Sequence, residues 1–179
     1  TINISSPNTP GLRALQDKSA LDDLLARAMA ARAANTPVFL KVAPDLEPAD
    51  IDDIVEVSMA RGIAALIVSN TTVSRPPLKS RYAGESGGLS GAPLRDLAQQ
   101  RLVDFRKASG GAIPLIGVGG IASAEDAYAR IRAGASLVQV YSALVYEGPG
   151  LARTINKGLA TLLKRDGFAN IADAVGTDA

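Results

Sequence analysis

Between Ile113 and Leu144 two short apolar runs, Ile113–Val118 and Ser136–Tyr141, flank one helical stretch, and that arrangement leaves few folds open. Each run has the length of a strand buried on both faces. Two consecutive strands separated by a helix pair in parallel, because an antiparallel pair needs only a short hairpin. The helix opens at Ser123, an N-cap residue, with Glu125 and Asp126 in the first turn, where the helix dipole favours negative charge. It presents Ala127, Ile131 and Ala135 on one side and stops at Gly134. Gly117-Val118-Gly119-Gly120 falls where the first strand ends, just before the helix. Glycines there let backbone N–H groups turn towards an anion, as in a phosphate cradle. A tight strand-to-helix turn that simply needs positive φ would use the same residues.

The same strand–loop–helix unit recurs along the chain. Thr1–Ser5 alternates β-branched residues and reads as a strand, followed by a loop over Ser6–Gln16 that is broken by Pro7, Pro10 and Gly11. Helical spacing of Leu21, Leu24, Leu25, Ala28 and Met29 predicts a helix over Asp17–Ala34. Pro37–Ala43 and Ala64–Ser69 are further strands, with a helix over Glu47–Arg61 between them. Asn70–Pro93 is the longest irregular stretch, and a connection of that length usually carries function. Helices follow over Leu94–Ser109 and, beyond the central unit, Gly150–Arg165; Phe168–Ala179 shows little pattern.

Five alternating units predict an α/β fold with a parallel sheet. An open doubly wound sheet and part of a (βα)8 barrel both satisfy that pattern. A full barrel needs about 250 residues, and the chain has 179, so the expectation is a single domain over 1–179 holding the last five units of a barrel, with the N-terminal strands missing. Polar residues cluster where strands end: Asn3, Ser5 and Ser6; Lys41; Ser69, Asn70 and Thr71; Gly119 and Gly120; Tyr141 and Ser142. In a barrel those ends form the active face. Helix caps would explain some of these residues, but not a lysine ending an apolar strand, because a buried ammonium needs an anion or a ligand beside it.

Composition narrows the chemistry. The 19 Lys and Arg against 18 Asp and Glu give a net charge of +1 with no basic block, which points away from nucleic acid. No apolar run is long enough to span a membrane. Cysteine and histidine are both absent. Their absence removes disulfides, thiolate metal sites, the Ser-His-Asp triad and most zinc sites, and no metal is expected. Catalysis is left to hydroxyls, carboxylates, lysines, amides or a bound cofactor.

Read together, Asn3-Ile4-Ser5-Ser6-Pro7-Asn8-Thr9-Pro10-Gly11-Leu12-Arg13, Leu40-Lys41-Val42-Ala43-Pro44-Asp45-Leu46, Val68-Ser69-Asn70-Thr71-Thr72, Gly87-Gly88-Leu89-Ser90-Gly91, Gly117-Val118-Gly119-Gly120 and Val140-Tyr141-Ser142 resemble the dihydroorotate dehydrogenases. These are flavin enzymes of pyrimidine synthesis built on a (βα)8 barrel. The motifs run in the family's order over nearly the whole chain. The soluble class of the family carries Cys at the catalytic position of the first loop, and the quinone-using class carries Ser. Ser6 occupies that position here, so the chain is similar to the quinone-using class.

The resemblance implies oxidation of dihydroorotate to orotate, hydride transfer to FMN and onward transfer of electrons to a quinone. It makes Ser6 the catalytic base, with Thr9 the nearest hydroxyl for a proton relay. It assigns Asn3, Asn8, Asn70 and Thr71 to the substrate, whose carboxylate and imide-like edges suit amides and hydroxyls. It assigns Asn3, Lys41, Ser69, Ser90, Gly91, Gly119, Gly120, Tyr141 and Ser142 to FMN. Lys41 would stabilise charge on the reduced ring, and the glycines and hydroxyls would hold the phosphate and ribityl chain. The quinone is reached through an N-terminal helical element outside this chain. The expected location is peripheral, at a bacterial or mitochondrial inner membrane. Arg13 and Arg75 read as loop anchors without a catalytic role, and Thr72 and Ser74 as ordinary loop polar groups. Two alternatives remain at this stage: an FMN-free phosphate-binding barrel enzyme, and a half-barrel that is inactive until a complementary half joins it.

Overall fold

The computed structural model describes residues 1–179. Five strands, β1 (Ile2–Asn3), β2 (Phe39–Val42), β3 (Ala65–Val68), β4 (Leu115–Val118) and β5 (Ala135–Gln139), lie side by side in sequence order. Every neighbouring pair is parallel. A doubly wound sheet reverses direction at a switch point. This one winds one way, as a partial (βα)8 barrel does.

The helices are α1 (Lys18–Ala31), α2 (Pro48–Ala60), α3 (Arg95–Ala108), α4 (Ala124–Arg132), α5 (Ser142–Glu147), α6 (Leu151–Arg165) and α7 (Ile171–Ala174). Their starts are written locally. The Asp17 carboxylate accepts from the N–H groups of Ser19 and Ala20 to open α1. The Asp50 carboxylate accepts from Glu47 N at the start of α2, and Ser123 Oγ accepts from Asp126 N at the start of α4.

Alternation along the strands separates two faces. Leu40, Val42, Leu66, Val68 and Leu115 point outwards into a core shared with Leu21 and Leu25 of α1, Ile51 and Ile54 of α2, and Leu102 and Phe105 of α3. A second core joins Ala127 and Ile131 of α4 to Leu151, Ile155, Leu159 and Leu162 of α6. The inner face carries a small group, Ala65, Ile67 and Ile116, flanked by Phe39 and Val118.

Three expectations are corrected. The strand expected at Ser136–Tyr141 is Ala135–Gln139, and it is not buried on both faces: Leu137 is 61% exposed. β5 pairs only with β4, through a bulge that sets Leu115 against Ala135 and Ile116 against Leu137, so its inner face has nothing beyond it. Ala135 belongs to this strand and not to the preceding helix. The patternless tail is structured, because Asn170 and Asp173 cap α7 reciprocally and Ala174 is fully buried. Gly176 N and Asp178 N then donate to the carbonyls of Ile131 and Arg132 at the end of α4.

Helices α4 and α6 meet at Gly158, where a Cβ would run into the Cβ of Ala124. Helix propensity alone would make Gly158→Ala stabilising by about 1 kcal/mol. The rigid contact reverses the sign, so the variant should lose about 1–3 kcal/mol, read as a lower urea midpoint.

Candidate active site

Strand register decides which side chains share the inner face. Asn3 stands beside Lys41, Lys41 beside Ile67, Ile67 beside Ile116, and Ile116 beside Leu137. Above this row, at the C-terminal ends of the strands, lies a cleft of about 470 Å³. Lys41, Ser69, Asn70, Thr71, Ser90, Gly91, Gly119, Gly120, Tyr141 and Ser142 all line it. Its size is that of a small-molecule site. Asn3, Ser6 and Asn8 are not among its walls.

Asn3 lies just outside those walls and is hydrogen-bonded to Asn70, which is one of them. Its Oδ1 accepts from Asn70 Nδ2 (3.2 Å) and from both the backbone N–H (3.2 Å) and the hydroxyl (2.9 Å) of Ser5. Asn70 Nδ2 also donates to Ser5 Oγ (3.0 Å), and Asn70 Oδ1 accepts from Thr71 N (2.8 Å). Ser5 Oγ lies 2.9 Å from the carbonyl of Lys41 as well. Ser5 is fully buried and ties β1, β2 and the end of β3 together. Sequence reasoning gave it no such place.

Ser6 sits on the loop beside the cleft, its Oγ accepting from Asn8 N at 3.3 Å. The suggested relay through Thr9 is not made; the Thr9 contact is a backbone one, its carbonyl accepting from Leu12 N. This loop ends in a 3-10 turn over Leu12–Gln16 where the sequence predicted none. It leans on the Gly87–Gly88 turn: a Cβ on Gly87 would come within 3.3 Å of Asn8 Oδ1, and one on Gly88 would meet Pro7 and overlap Thr71. Those glycines let the loop close over Thr71.

Lys41 is half-buried, its ammonium makes no hydrogen bond or ion pair to the chain, and burial holds its pKa below the ordinary value. A desolvated ammonium without a counter-ion is a standing invitation to an anionic ligand. At the other end of the cleft, Ser90 Oγ and Ser142 Oγ are 2.9 Å apart. The N–H groups of Gly119, Gly120 and Ile121 make no hydrogen bond within the chain. Gly119 and Gly120 have φ of 117° and 70°, and a Cβ on Gly120 would lie 2.6 Å from Arg95 Cα. Gly117 plays a different part, since a Cβ there would overlap the stem of Arg130.

The family model described as Dihydroorotate dehydrogenase matches residues 1–163. The chain belongs to that family. It is 70% identical over 181 residues to the dihydroorotate dehydrogenase (quinone) of Sphingopyxis alaskensis, an alignment covering 100% of this chain and 51% of that protein. It is 65% identical over 179 residues to the dihydroorotate dehydrogenase (quinone) of Novosphingobium aromaticivorans, covering 99% and 51%. The crystal structure of DHODH from Eimeria tenella in complex with ferulenol is similar at a TM-score of 0.94 and 38% identity, over 99% of this chain and 53% of that one. The chain spans about half the length of the curated relatives it matches. No helix is long and apolar enough to cross a membrane.

Within this chain, the loops of the site converge on Asp45. Its carboxylate pairs with Arg13 Nη1 (2.9 Å) and accepts from Thr72 Oγ1, Val73 N (3.1 Å) and Ser74 Oγ (3.2 Å). Arg13 also donates to the carbonyls of Ser5 (3.2 Å) and Thr71 (3.1 Å). Thr72, read as an ordinary loop residue, is 1% exposed and pairs through its backbone with Leu89, closing the long 70–93 connection. Arg75 anchors the same connection from within, donating to the carbonyls of Glu85 and Gly87. An aspartate straight after Pro44 at a strand's end was the available signal for this hub.

Burial alone would raise the Asp45 carboxyl, but the hydrogen bonds from Thr72, Val73 N and Arg13 outweigh it and hold the group below its ordinary 3.8. A depressed folded pKa means that the anchor contributes fully above the unfolded value and is lost as pH falls through the folded one. Asp45→Asn should therefore loosen the loop by about 1–3 kcal/mol at neutral pH, seen as faster proteolysis within residues 6–16. In the parent chain the same loosening should appear only as pH drops below 3.8.

Proposed function

We propose that the complete protein carrying this chain oxidises dihydroorotate to orotate in pyrimidine biosynthesis, using FMN and passing the electrons to a quinone. The observation that carries the reading is one cleft whose walls include ten of the residues that the family resemblance assigns to flavin or substrate. In this proposal, residues 1–179 supply five units of an FMN-binding (βα)8 barrel domain. The remaining length of the relatives is the proposed source of the strands that flank β1 and β5, and of the helical element that admits the quinone at a membrane surface.

The residues present fit FMN. Free N–H groups at Gly119, Gly120 and Ile121, with the Ser90 and Ser142 hydroxyls, suit a phosphate and a ribityl chain. FMN, when bound, supplies the hydride acceptor. Lys41 lines the β1–β2 end of the cleft, where its charge would offset negative charge on the ring. The Asn3 amide nitrogen donates to no group of the chain, whereas the Asn70 amide is spent on Asn3, Ser5 and Thr71. Asn3 is thus the readier donor to a substrate carboxylate or imide, and Asn70 orients it. Thr71 and Asn8 face each other across the Gly87–Gly88 turn and would close over the substrate together.

Ser6 removes the proton from the carbon adjacent to the one that gives up hydride. A hydroxyl does this only by releasing its own proton as it accepts the new one, so Ser6 would hand that proton to a water on the solvent side of the loop, with the loop moved inwards to place Ser6 at the reacting carbon. Arg13 and Asp45 hold one end of that loop fixed, while residues 6–10, without helix or strand, are free to make the movement.

In the complete protein, Ser6→Ala should retain bound flavin but slow its reduction by dihydroorotate at least ~100-fold, as for loss of a general base. Stopped-flow bleaching of the flavin measures this. Unchanged single-turnover reduction would remove Ser6 from the mechanism. Purified complete protein without flavin absorbance would favour a flavin-free phosphate-binding enzyme instead.

A further inference from the structure

Beneath the Gly119–Gly120 turn lies a cation that none of the site's chemistry has used. Arg130, on α4, is 1% exposed. It sits in the buried stripe between Ala127 and Ile131, so its guanidinium is enclosed by the fold. No carboxylate pairs with it, and its Nε and Nη1 are buried without any hydrogen-bond partner. Only Nη2 is engaged, donating to the carbonyls of Gly119 (2.8 Å) and Arg95 (3.3 Å). Burial lowers its pKa to about 10, which leaves it charged at neutral pH.

A second guanidinium completes the arrangement. Arg95 Nε donates to the carbonyl of Gly120 at 3.1 Å and pairs with Asp126 at 3.2 Å. The carbonyls of both glycines are thus held from below by arginines. In a trans peptide the C=O and the following N–H point in opposite directions. Fixing these two carbonyls downwards turns the N–H groups of Gly120 and Ile121 towards the cleft, where they are unpaired. At the start of α4, Ser123 Oγ accepts from Asp126 N and the Asp126 carboxylate accepts from Ala122 N, so that helix end already has an acidic group against it.

We propose that Arg130 is a positioning residue for a phosphate monoester dianion at the Gly119–Gly120 turn, with Arg95 as its partner. It orients the donor peptides and supplies positive charge that Asp126 and Asp96 act on from a distance but do not pair with. This rests on the assignment of FMN to the cleft and deepens it. A buried cation left without a counter-ion is costly, and a ligand dianion one peptide away offsets that cost without touching the guanidinium. Gly117 follows from the same device: it is glycine to admit the Arg130 stem, while a Cβ on Gly119 or Gly120 would run into Leu94, Ala98 and Arg95.

The test uses the complete protein, freed of flavin and titrated separately with FMN and riboflavin, which differ only in the phosphate. Arg130→Met keeps the stem and removes the charge. It should weaken FMN binding by about 10- to 100-fold, the scale of charge-assisted hydrogen bonds, and leave riboflavin binding unchanged. Arg130→Lys should restore most of the preference for FMN. A variant that is less stable but keeps the parent's FMN-to-riboflavin ratio would show a merely structural arginine and overturn the proposal. Should Arg130→Met fail to fold, Arg95→Gln is read in the same way, with a smaller loss of preference expected and an unchanged ratio overturning the clamp. A parent protein that binds flavin but does not prefer FMN to riboflavin would overturn the phosphate site itself, and a parent that binds neither would overturn the flavin assignment.

Discussion

Lys41 stands in register with Asn3 on one side and Ile67 on the other, and that single row orders the rest of the site. Parallel pairing without a switch point brings the C-terminal ends of all five strands to one rim. Along the row the inner face runs from polar, at Asn3 and Lys41, to apolar, at Ile67, Ile116 and Leu137. The cleft above inherits this gradient. Amides and an ammonium crowd the β1–β2 end, and glycines with free N–H groups form the β4–β5 end. A one-residue slip in any pair would send these side chains into the helical core, so the strand ladders set the chemistry as much as the loops do.

Loops at such a rim still have to be held, and this chain has no cysteine with which to staple them. Asp45 does the holding. It joins the loop after β1, through Arg13, to the loop after β3, through Thr72, Val73 and Ser74. The group is partly buried, so removing one partner strands the other in a poor solvent, whereas an exposed pair is worth about 0–1 kcal/mol. Lys18 with Asp53 and Glu56 is of that weaker kind, bridging two helices at the surface. The first loop is held at both ends, by buried Ser5 and by Arg13, and residues 6–10 run between them without helix or strand.

How much of this could be read from the residues depends on the range of the interaction concerned. Period-two apolar runs and N-cap residues are local signals, so all five strands and the long helices were legible, with ends displaced by a few residues. The tail was missed although Asn170 and Asp173 spell a capping box, because four residues of helix leave too short an apolar pattern to notice. Burial of β5 was misjudged because sequence records that a strand is apolar and not whether a neighbour covers it. The cleft-lining residues were legible through the family motifs. Ser5, Asp45 and Arg130 were not assigned, since each acts through partners tens of residues away: Ser5 with Asn70, Asp45 with Arg13, Arg130 with Arg95. Arg130 did leave one trace, a charged residue inside the Ala127–Ile131 stripe where a helix buries apolar side chains.

The distribution of paired and unpaired cations separates scaffold from site. Arg61 is held by Asp22, Arg132 by Asp166 and Asp178, and Arg165 by Asp166. Each of these arginines has its pKa raised, first of all by a hydrogen bond to its carboxylate partner. Lys41 and Arg130 are the opposite case: more deeply buried, shifted downwards by burial, and without a carboxylate of their own. Protein stability alone gives no reason to leave a buried charge uncompensated when acids are as plentiful as bases. The two sit by opposite ends of one cleft, Lys41 on its wall and Arg130 beneath the glycine turn. In the proposed reading, a ligand with a phosphate at one end and a ring that gains negative charge at the other would compensate both.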